Sequence, residues 1–246
     1  MAFKPHVLGV IPARLASTRL PRKVLLPIAG RPMLAWVYEA AKACPGLDDL
    51  IVATDAEEVA ALCRENGWPV AMTASDLPSG TDRVREVARH HPADIYVNIQ
   101  GDEPLLKPEH IDALLAPFSK PEVDVTTIKT LCTPENIHNP NAVKVVTALD
   151  GRALYFSRAT IPYHRDRIGD APYWKHIGLY AYRRQTLERF TELGPSALEQ
   201  TERLEQLRLL ENGFALYVEP VHFDTIGVDT ETDLKAAEAV LLKRNG

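Results

Sequence analysis

The chain has 246 residues, of which 46% are hydrophobic and 25% are charged. This composition is typical of a globular protein with a substantial core, so it excludes a disordered chain. A net charge of −5 and a pI near 5.9 argue against a nucleic-acid coat or a membrane-surface protein, and we expect no nucleic-acid partner.

No segment of the sequence predicts a secretion signal or a membrane span. The apolar run near the N-terminus is short and ends at Pro12 and Arg14. No other stretch approaches the roughly 18 apolar residues that a membrane span needs. The three cysteines, Cys44, Cys63 and Cys132, are odd in number and lack metal-site spacing. These features indicate a cytoplasmic protein with reduced thiols and no membrane partner.

The first half of the chain alternates strand and helix patterns. Short apolar runs predict buried strands at residues 6–12, 50–54, 69–73 and 94–100. Amphipathic stretches predict helices at residues 33–43, 57–66, 79–91 and 108–118. Asp55 and Glu58 predict a capping box for the second helix, which Gly67 ends. This alternation predicts an α/β fold with a mostly parallel, doubly wound sheet, that is, one with helices on both faces.

The second half is richer in strands. Further strands are predicted at residues 123–130, 142–149, 153–158, 176–184 and 215–221. Asp150 and Gly151 predict a hairpin between the second and third of these strands. Residues 196–213 predict one helix and residues 230–244 another. Because no linker or repeat divides the chain, we expect one domain over residues 1–246 with a β-rich insertion at about residues 131–190.

An acid-free cationic segment lies near the N-terminus. It contains Arg14, Arg19, Arg22, Lys23 and Arg31. The first 38 residues carry six formal positive charges and no negative one, which leaves −11 for the rest of the chain. Such an asymmetry predicts an anion-binding site. Because the glycines of Walker A and GxGxxG motifs are absent, cationic side chains would bind the phosphates instead of backbone N–H groups.

Three polar clusters are predicted at the edge of the sheet where ligands bind to parallel strands. They are the cationic segment, residues 100–103 and residues 227–230. The last two contain Asp102 and Asp229. Mg²⁺ often uses only one or two protein carboxylates, because phosphate and water supply its other ligands. The clusters therefore predict a polyphosphate bound by Arg and Lys, with Mg²⁺ between the phosphate and the aspartates.

Each of these residues also has a structural interpretation. Asp102 follows a glycine, as in an ordinary turn, and Asp229 could belong to the cap of the last helix. Arg19 and Lys23 could be solvated loop charges. Their common location at one sheet edge favours a shared site.

The chain resembles the 3-deoxy-manno-octulosonate cytidylyltransferases, or CMP-Kdo synthetases, from about residue 10 to residue 234. The resemblance rests on IPARLASTRLPRK, SGTDR, VNIQGDEP, NPNAVKVV, LYFSRATIP, HIGLYAY, LEQLR and GVDT, in this order and spacing. It implies a Rossmann-like fold of the nucleotide-diphospho-sugar transferase type, with a homodimer formed through the β-rich insertion. It also implies that CTP and Kdo give CMP-Kdo and pyrophosphate with Mg²⁺, for lipopolysaccharide biosynthesis.

The resemblance also implies roles for individual residues. Those expected to act in catalysis are Arg14, Lys23, Asp102 and Asp229, with both aspartates as metal ligands. Those expected to bind the nucleotide are Arg14, Arg19, Lys23, Ser79, Gly80 and Gln100. Those expected to bind Kdo are Gln100, Arg158, His176, Tyr180, Glu205 and Gln206.

Some of these residues have other interpretations, and so does the function. Ser79 could cap a helix, Glu205 and Gln206 could lie on the solvent face of one, and His176 could be a structural histidine. The acceptor could be sialate, an amino analogue of Kdo or a sugar 1-phosphate. The chain could also be a nucleotide-binding relative without turnover, but retention of both aspartates, Lys23 and Arg14 favours an enzyme.

Overall fold

The computed structural model describes residues 4–15, 20–166 and 171–244. Strands β1 to β11 are Val7–Pro12, Pro27–Ile28, Arg31–Pro32, Asp49–Thr54, Val70–Met72, Ile95–Asn98, Val125–Leu131, Lys144–Thr147, Ala153–Ser157, Trp174–Arg183 and Leu216–Pro220. Helices α1 to α9 are Met33–Lys42, Glu57–Glu65, Gly80–Ala88, Pro108–Leu115, Pro134–Ile137, Arg184–Glu192, Ala197–Glu202, Gln206–Glu211 and Glu231–Arg244. Single 3-10 turns span Lys23–Leu25 and Ala116–Ser119.

The chain forms two compact units. Unit 1 comprises Met1–Asp112 and Asp224–Gly246, and unit 2 comprises Ala113–Phe223. The expected single domain with an insertion at residues 131–190 stays a prediction. No helix in the described part of the chain is long and apolar enough to cross a membrane.

Unit 1 contains the parallel sheet that the sequence predicts. Its strands lie in the order β6-β1-β4-β5, and every neighbouring pair is parallel. The carboxyl ends of these strands therefore share one edge. Gly101 follows β6 at this edge, where an added Cβ would lie 2.8 Å from the carbonyl oxygen of Pro12. Only glycine allows the loop before Asp102 to approach the end of β1 so closely.

Unit 1 also contains a short hairpin that the sequence analysis missed. Strands β2 and β3 are antiparallel and are joined by Ala29 and Gly30, with φ values of 47° and 77°. Hairpins with two positive φ values usually carry Asn-Gly or Asp-Gly, so Ala-Gly was a weak signal. The N–H of Ala29 donates to Glu238 Oε1 of α9 at 2.8 Å, which holds the hairpin against that helix.

The predicted capping box of α2 is wrong. The helix begins after Ala56, whose N–H donates to Thr54 Oγ1 at 3.1 Å. Asp55 instead accepts a hydrogen bond from Arg83 at 3.4 Å. Because Arg83 is only 2% exposed, its charge requires a nearby carboxylate. Glu58 is also engaged elsewhere, in an ion pair with Arg22.

Unit 2 is built around antiparallel pairs. Strand β10 is antiparallel to β7 and β8, and β8 forms the predicted hairpin with β9. Strand β11 is parallel to β7. Gly151 adopts a φ of 90° in the hairpin loop, as the Asp150-Gly151 pair predicts. Helix α6 was not predicted, because its sequence follows the strand pattern of β10 without a turn signal.

The prediction of one helix over residues 196–213 is wrong. Helix α7 ends at Glu202, the next residue, Arg203, has a left-handed φ of 55°, and α8 begins at Gln206. The guanidinium of Arg158 donates to the carbonyls of Glu202 at 2.7 Å and Arg203 at 3.3 Å. It thereby satisfies carbonyl groups that a continuous helix would use internally.

Candidate active site

Lys23 lies between the two aspartates that the sequence predicts as metal ligands. Its Nζ atom donates to Asp102 Oδ2, to Asp229 Oδ1 at 2.9 Å and to the carbonyl oxygen of Val228 at 3.2 Å. Lys23 is 79 positions from Asp102 and 206 positions from Asp229 in the sequence. The fold of unit 1 thus brings the three predicted polar clusters together.

The Lys23 side chain is only 14% exposed, so it is not a solvated loop charge. It opens the 3-10 turn after Arg22, which has a left-handed φ of 58°. The next residue, Val24, is buried and anchors the turn in unit 1. The lysine is therefore held at the sheet edge by the main chain on both sides.

The loops that carry Asp102 and Asp229 are tied to each other. The N–H of Val228 donates to the carbonyl of Asp102 at 2.9 Å. The side chain of Val228 is fully buried in a cluster with Met33, Leu105 and other apolar residues. Because Val228 is anchored in the core, the neighbouring Asp229 has a fixed position near Lys23.

The last helix, α9, is capped by Thr230 and Asp233. Thr230 Oγ1 accepts from the N–H of Asp233 at 3.2 Å, and Asp233 Oδ2 accepts from the N–H of Thr230 at 2.8 Å. This reciprocal pair caps α9 and leaves Asp229 Oδ1 as an acceptor for Lys23. The main chain of Asp229 takes part in the same cap, because its N–H donates to Asp233 Oδ2 at 3.2 Å, while its carboxylate contacts Lys23.

The carboxylates determine the charge state of Lys23. Burial disfavours the charged ammonium, but the charges and hydrogen bonds of Asp102 and Asp229 outweigh this effect and raise its pKa above the usual value. Two carboxylate groups and one carbonyl oxygen thus surround a full positive charge.

The same oxygen atoms suit a hard divalent cation. Carboxylate and carbonyl oxygens are the ligands that Mg²⁺ prefers, and here they already bind the ammonium of Lys23. Within residues 4–15, 20–166 and 171–244, no group of three or more His, Cys, Asp or Glu side chains could hold a metal. A cation here would therefore depend on phosphate or water for its other ligands.

The remaining predicted nucleotide-binding residues of unit 1 have varied surroundings. Arg14 is exposed just after β1, and Arg19 lies outside the described residues. Ser79 caps α3, since its Oγ accepts from the N–H of Asp82 at 3.2 Å. The structural interpretation of Ser79 is thus observed, and contact with a nucleotide stays a prediction.

Gly80 and Gln100 also lie near strand ends of unit 1. A Cβ on Gly80 would lie 3.6 Å from the ring of Pro12, an ordinary contact distance, so packing does not require glycine there. Gln100 Nε2 donates to Asn98 Oδ1 at 3.4 Å. Their proposed contacts with the ligand stay predictions.

In unit 2, Arg158 has an extensive set of main-chain partners. Its guanidinium donates to the carbonyls of Glu202 and Arg203, and to that of Pro140 at 3.0 Å. A guanidinium has five N–H donors, so these three bonds orient the group without using all of it. A role in binding an acceptor stays a prediction.

His176 and Tyr180 flank an irregularity of β10, where the register against β7 shifts between Ile177 and Tyr180. The hydroxyl of Thr127 donates to the carbonyl of Leu179 at 2.7 Å and lies 2.9 Å from His176 Nε2. The hydroxyl of Thr127 thus ties the His176 ring to β7. Bulges of this kind often re-aim side chains next to functional sites.

Both aromatic side chains are electrically neutral. Burial, with a smaller contribution from Lys175, lowers the pKa of His176 to about 3. Burial also raises the pKa of Tyr180 well above its usual value, and Tyr182 and Glu205 add to this shift. At neutral pH the two residues are therefore uncharged hydrogen-bonding groups.

Gln206 does not lie on a solvent face. Its side chain is buried, and its Nε2 atom has no hydrogen-bond partner in the described part of the chain. A buried amide donor without a partner is costly, so it is a candidate ligand contact. Glu205 comes directly before it and starts the turn into α8.

Sequence reasoning missed two groups that shape these sites, the carbonyl oxygen of Val228 and the carboxylate of Glu202. A main-chain oxygen cannot be predicted as a ligand from residue type, because every residue has one. In the sequence, Glu202 has no feature that separates it from the other polar residues of its helix. In the structure, its carboxylate accepts from Ser157 Oγ at 2.6 Å and from the N–H of Arg158 at 2.9 Å.

Comparisons with known proteins agree with the resemblance seen in the sequence. A family model described as Cytidylyltransferase matches residues 8–221. The 3-deoxy-manno-octulosonate cytidylyltransferase of Acidobacterium capsulatum is 63% identical over 97% of this chain and 98% of its own length. The protein of the same name from Koribacter versatilis is 57% identical over 97% of this chain and 91% of its own length.

A solved structure is also similar. It is described as CMP:2-keto-3-deoxy-manno-octonic acid synthetase complexed with CTP, and it is 41% identical to this chain. The match has a TM-score of 0.93 and covers 97% of this chain and 99% of that one. The predicted α/β nucleotidyltransferase fold is therefore confirmed. The chain belongs to the 3-deoxy-manno-octulosonate cytidylyltransferase family.

Proposed function

We propose that this chain transfers CMP from CTP to 3-deoxy-D-manno-octulosonate (Kdo), releasing pyrophosphate and CMP-Kdo. Its membership of the family supports this activity. The observation that carries the proposal is the contact of Lys23 with both Asp102 and Asp229. Carboxylates that can hold a metal ion and a cation that can bind phosphates are the groups that nucleotidyl transfer from a triphosphate uses.

Asp102 and Asp229 would hold Mg²⁺ through their carboxylate oxygens. When bound, this ion supplies positive charge to the triphosphate and lowers the pKa of the attacking hydroxyl. Lys23, together with Arg14 and Arg19, binds the phosphates and offsets the charge that develops on the departing pyrophosphate. The reaction needs no covalent protein intermediate, because positioning and charge stabilisation suffice.

Five of the six proposed acceptor contacts are residues of unit 2. Kdo carries one carboxylate and several hydroxyl groups, so it needs a cation and neutral hydrogen-bonding groups. Arg158 supplies the cation, and neutral His176 and Tyr180 supply donors and acceptors for hydroxyl groups. Gln206 contributes its buried amide, and Glu205 accepts from hydroxyl groups.

The cytosine base is bound near Ser79, Gly80 and Gln100. Gln100 also contacts the acceptor. We further propose that the protein acts in the cytoplasm as a homodimer. There its product serves lipopolysaccharide biosynthesis, since CMP-Kdo is an activated form of Kdo.

Pyrophosphate release by the purified protein, with CTP, Mg²⁺ and Kdo, tests the proposal. We expect release that depends on all three, together with a product of the mass of CMP-Kdo. A parallel series replaces Kdo with sialate, an amino analogue of Kdo or a sugar 1-phosphate. Faster release with one of these would reassign the acceptor, and no release with any of them would show a binding protein without turnover.

A further inference from the structure

The main chain of Arg158 is held from both sides by side chains of opposite charge. Lys144 Nζ donates to the carbonyl oxygen of Arg158 at 2.9 Å. Glu202 Oε2 accepts from the N–H of the same residue at 2.9 Å. Because Arg158 directly follows β9, these two bonds fix the point where the chain leaves the strand.

Lys144 is a charged side chain in an unusual position. It is 0% exposed, and its Nζ atom also donates to the carbonyls of Asn139 at 2.8 Å and Ala142 at 2.6 Å. Burying an ammonium group costs several kcal/mol unless hydrogen bonds compensate. All three of its described partners are main-chain oxygens, so the lysine joins the turn before β8 to residue 158.

Glu202 completes the attachment at the end of α7. Its Oε1 atom accepts from Ser157 Oγ at 2.6 Å, and its own carbonyl oxygen accepts from Arg158 Nε at 2.7 Å. The carboxylate therefore holds the end of β9 against the last turn of α7. The main chain of Glu202 meanwhile orients the guanidinium of Arg158.

The guanidinium in turn stabilises the break between α7 and α8. It bonds the carbonyls of Glu202 and Arg203 at the negative end of α7. Arg203 then takes the left-handed conformation that turns the chain toward Glu205 and Gln206. A path of hydrogen bonds thus runs from Lys144 through Arg158 to Arg203, two residues before Glu205.

We propose that Lys144 and Glu202 are positioning residues for the acceptor sugar. They fix the main chain of Arg158 and, through its guanidinium, the α7–α8 junction that carries Glu205 and Gln206. Neither residue needs to touch the sugar. This inference rests on the proposed function, because it takes Arg158, Glu205 and Gln206 as contacts of the acceptor.

The test is steady-state kinetics of Lys144→Met, which removes the charge and keeps an unbranched side chain of similar length. We expect the KM for Kdo to rise about tenfold or more, because charge-assisted bonds are lost. The KM for CTP should change less than about twofold, because the proposed CTP contacts lie in unit 1. Equal changes in both constants, or no change in the KM for Kdo, would overturn the proposal.

Arg183→Met is the matched control. Arg183 also donates to main-chain carbonyls of unit 2, those of Val123 at 2.7 Å and Lys120 at 3.1 Å, but it has no bond to Arg158 or to its partners. The control should lose stability without raising the KM for Kdo selectively. A selective rise in the control would show that any weakening of unit 2 has this effect, and would overturn the proposal.

Glu202→Gln is the second variant, and it tests the positioning role of this pair if Lys144→Met does not fold. It keeps the size of the side chain but removes the charge that accepts from Ser157 and Arg158. The same selective rise in the KM for Kdo is expected. Failure of the wild-type protein to turn over Kdo would be visible before any variant is compared, and would overturn the proposed function itself.

Discussion

Lys23 Nζ lies 2.9 Å from Asp229 Oδ1, although the two residues are 206 positions apart in the sequence. The same ammonium group also contacts Asp102. The position that a divalent cation would share with the two carboxylates is therefore next to a cation of the protein itself. Metal binding and the position of Lys23 must depend on each other.

Removal of the Lys23 charge should strengthen divalent-cation binding in the absence of nucleotide. In Lys23→Met, two carboxylates lose a neighbouring positive charge that is worth roughly 1–4 kcal/mol at contact distance. We expect the affinity for Mn²⁺ without CTP to rise about tenfold. Electron paramagnetic resonance of free Mn²⁺ measures this affinity directly, without reference to turnover.

Lys23→Arg serves as the control for this experiment, because it keeps the positive charge. Its affinity for Mn²⁺ should stay close to that of the wild-type protein. An unchanged affinity in Lys23→Met would mean that the lysine does not compete with the cation.

Asp102→Asn should almost abolish turnover while leaving the fold intact. The substitution removes the charge of one proposed metal ligand at nearly constant volume, and the loss of such a contact is worth several kcal/mol in the transition state. We expect kcat to fall about a thousandfold, which corresponds to about 4 kcal/mol. Pyrophosphate release gives the rate, and circular dichroism checks the fold.

Asp76→Asn is a suitable comparison, since Asp76 is an exposed acid of the same unit. It should retain wild-type turnover. Near-normal activity of Asp102→Asn would refute the assignment of Asp102 as a metal ligand.

His176 should make the folded protein less stable in mild acid. Its pKa is about 3 in the folded protein, and near 6.5 in the unfolded chain. Below pH 6.5 the unfolded chain binds a proton that the folded protein excludes until about pH 3. The free energy of unfolding therefore falls as the pH drops through this window, by about 2 kcal/mol between pH 7 and pH 5 from this residue.

Urea unfolding of the wild-type protein and of His176→Asn at both pH values isolates this contribution, because asparagine does not titrate. The variant should show a smaller loss of stability between pH 7 and pH 5. Equal losses in the two proteins would mean that His176 takes up its proton in the folded state within this pH range, which would contradict the lowered pKa.

Ala29→Asn should stabilise the protein. Ala29 has a φ of 47° in the β2–β3 hairpin, a conformation that asparagine tolerates better than alanine. We expect the free energy of unfolding to rise by about 0.5–1 kcal/mol, measured by the urea midpoint. Gly30→Ala, at a φ of 77°, should shift the midpoint in the opposite direction. A lower midpoint for Ala29→Asn would contradict this interpretation of the hairpin.

The central site could be predicted because its residues follow regular elements. Apolar runs indicated parallel strands, and the carboxyl ends of parallel strands share one edge. Asp102 follows such a strand, and the cationic segment that contains Lys23 follows another. Asp229 follows none of these parallel strands, and it reaches Lys23 because the neighbouring Val228 is anchored in the core.

Other predictions failed where distant residues compete for the same group. Asp55 has the local features of a helix cap, but a buried Arg83 takes its carboxylate. Residues 196–213 have a helical pattern throughout, but Arg158 stabilises a break at Arg203, 45 positions away. The helix propensity of a segment does not depend on hydrogen-bond partners from distant segments, because those hydrogen bonds form only in the folded chain.

The sequence by itself determined the α/β class and the alternation of the four parallel strands of unit 1 with helices, because these depend on periodicity. It also indicated that Lys23, Asp102 and Asp229 share one edge of the sheet, because ligands bind where parallel strands end. Only the tertiary structure decided which polar groups are buried. Lys144 has no expected role in the sequence, and Gln206 and His176 have one only through the family resemblance, yet each is enclosed in unit 2. Burial is a property of the packed chain, and it is burial that makes a buried amide, ammonium or imidazole depend on specific partners.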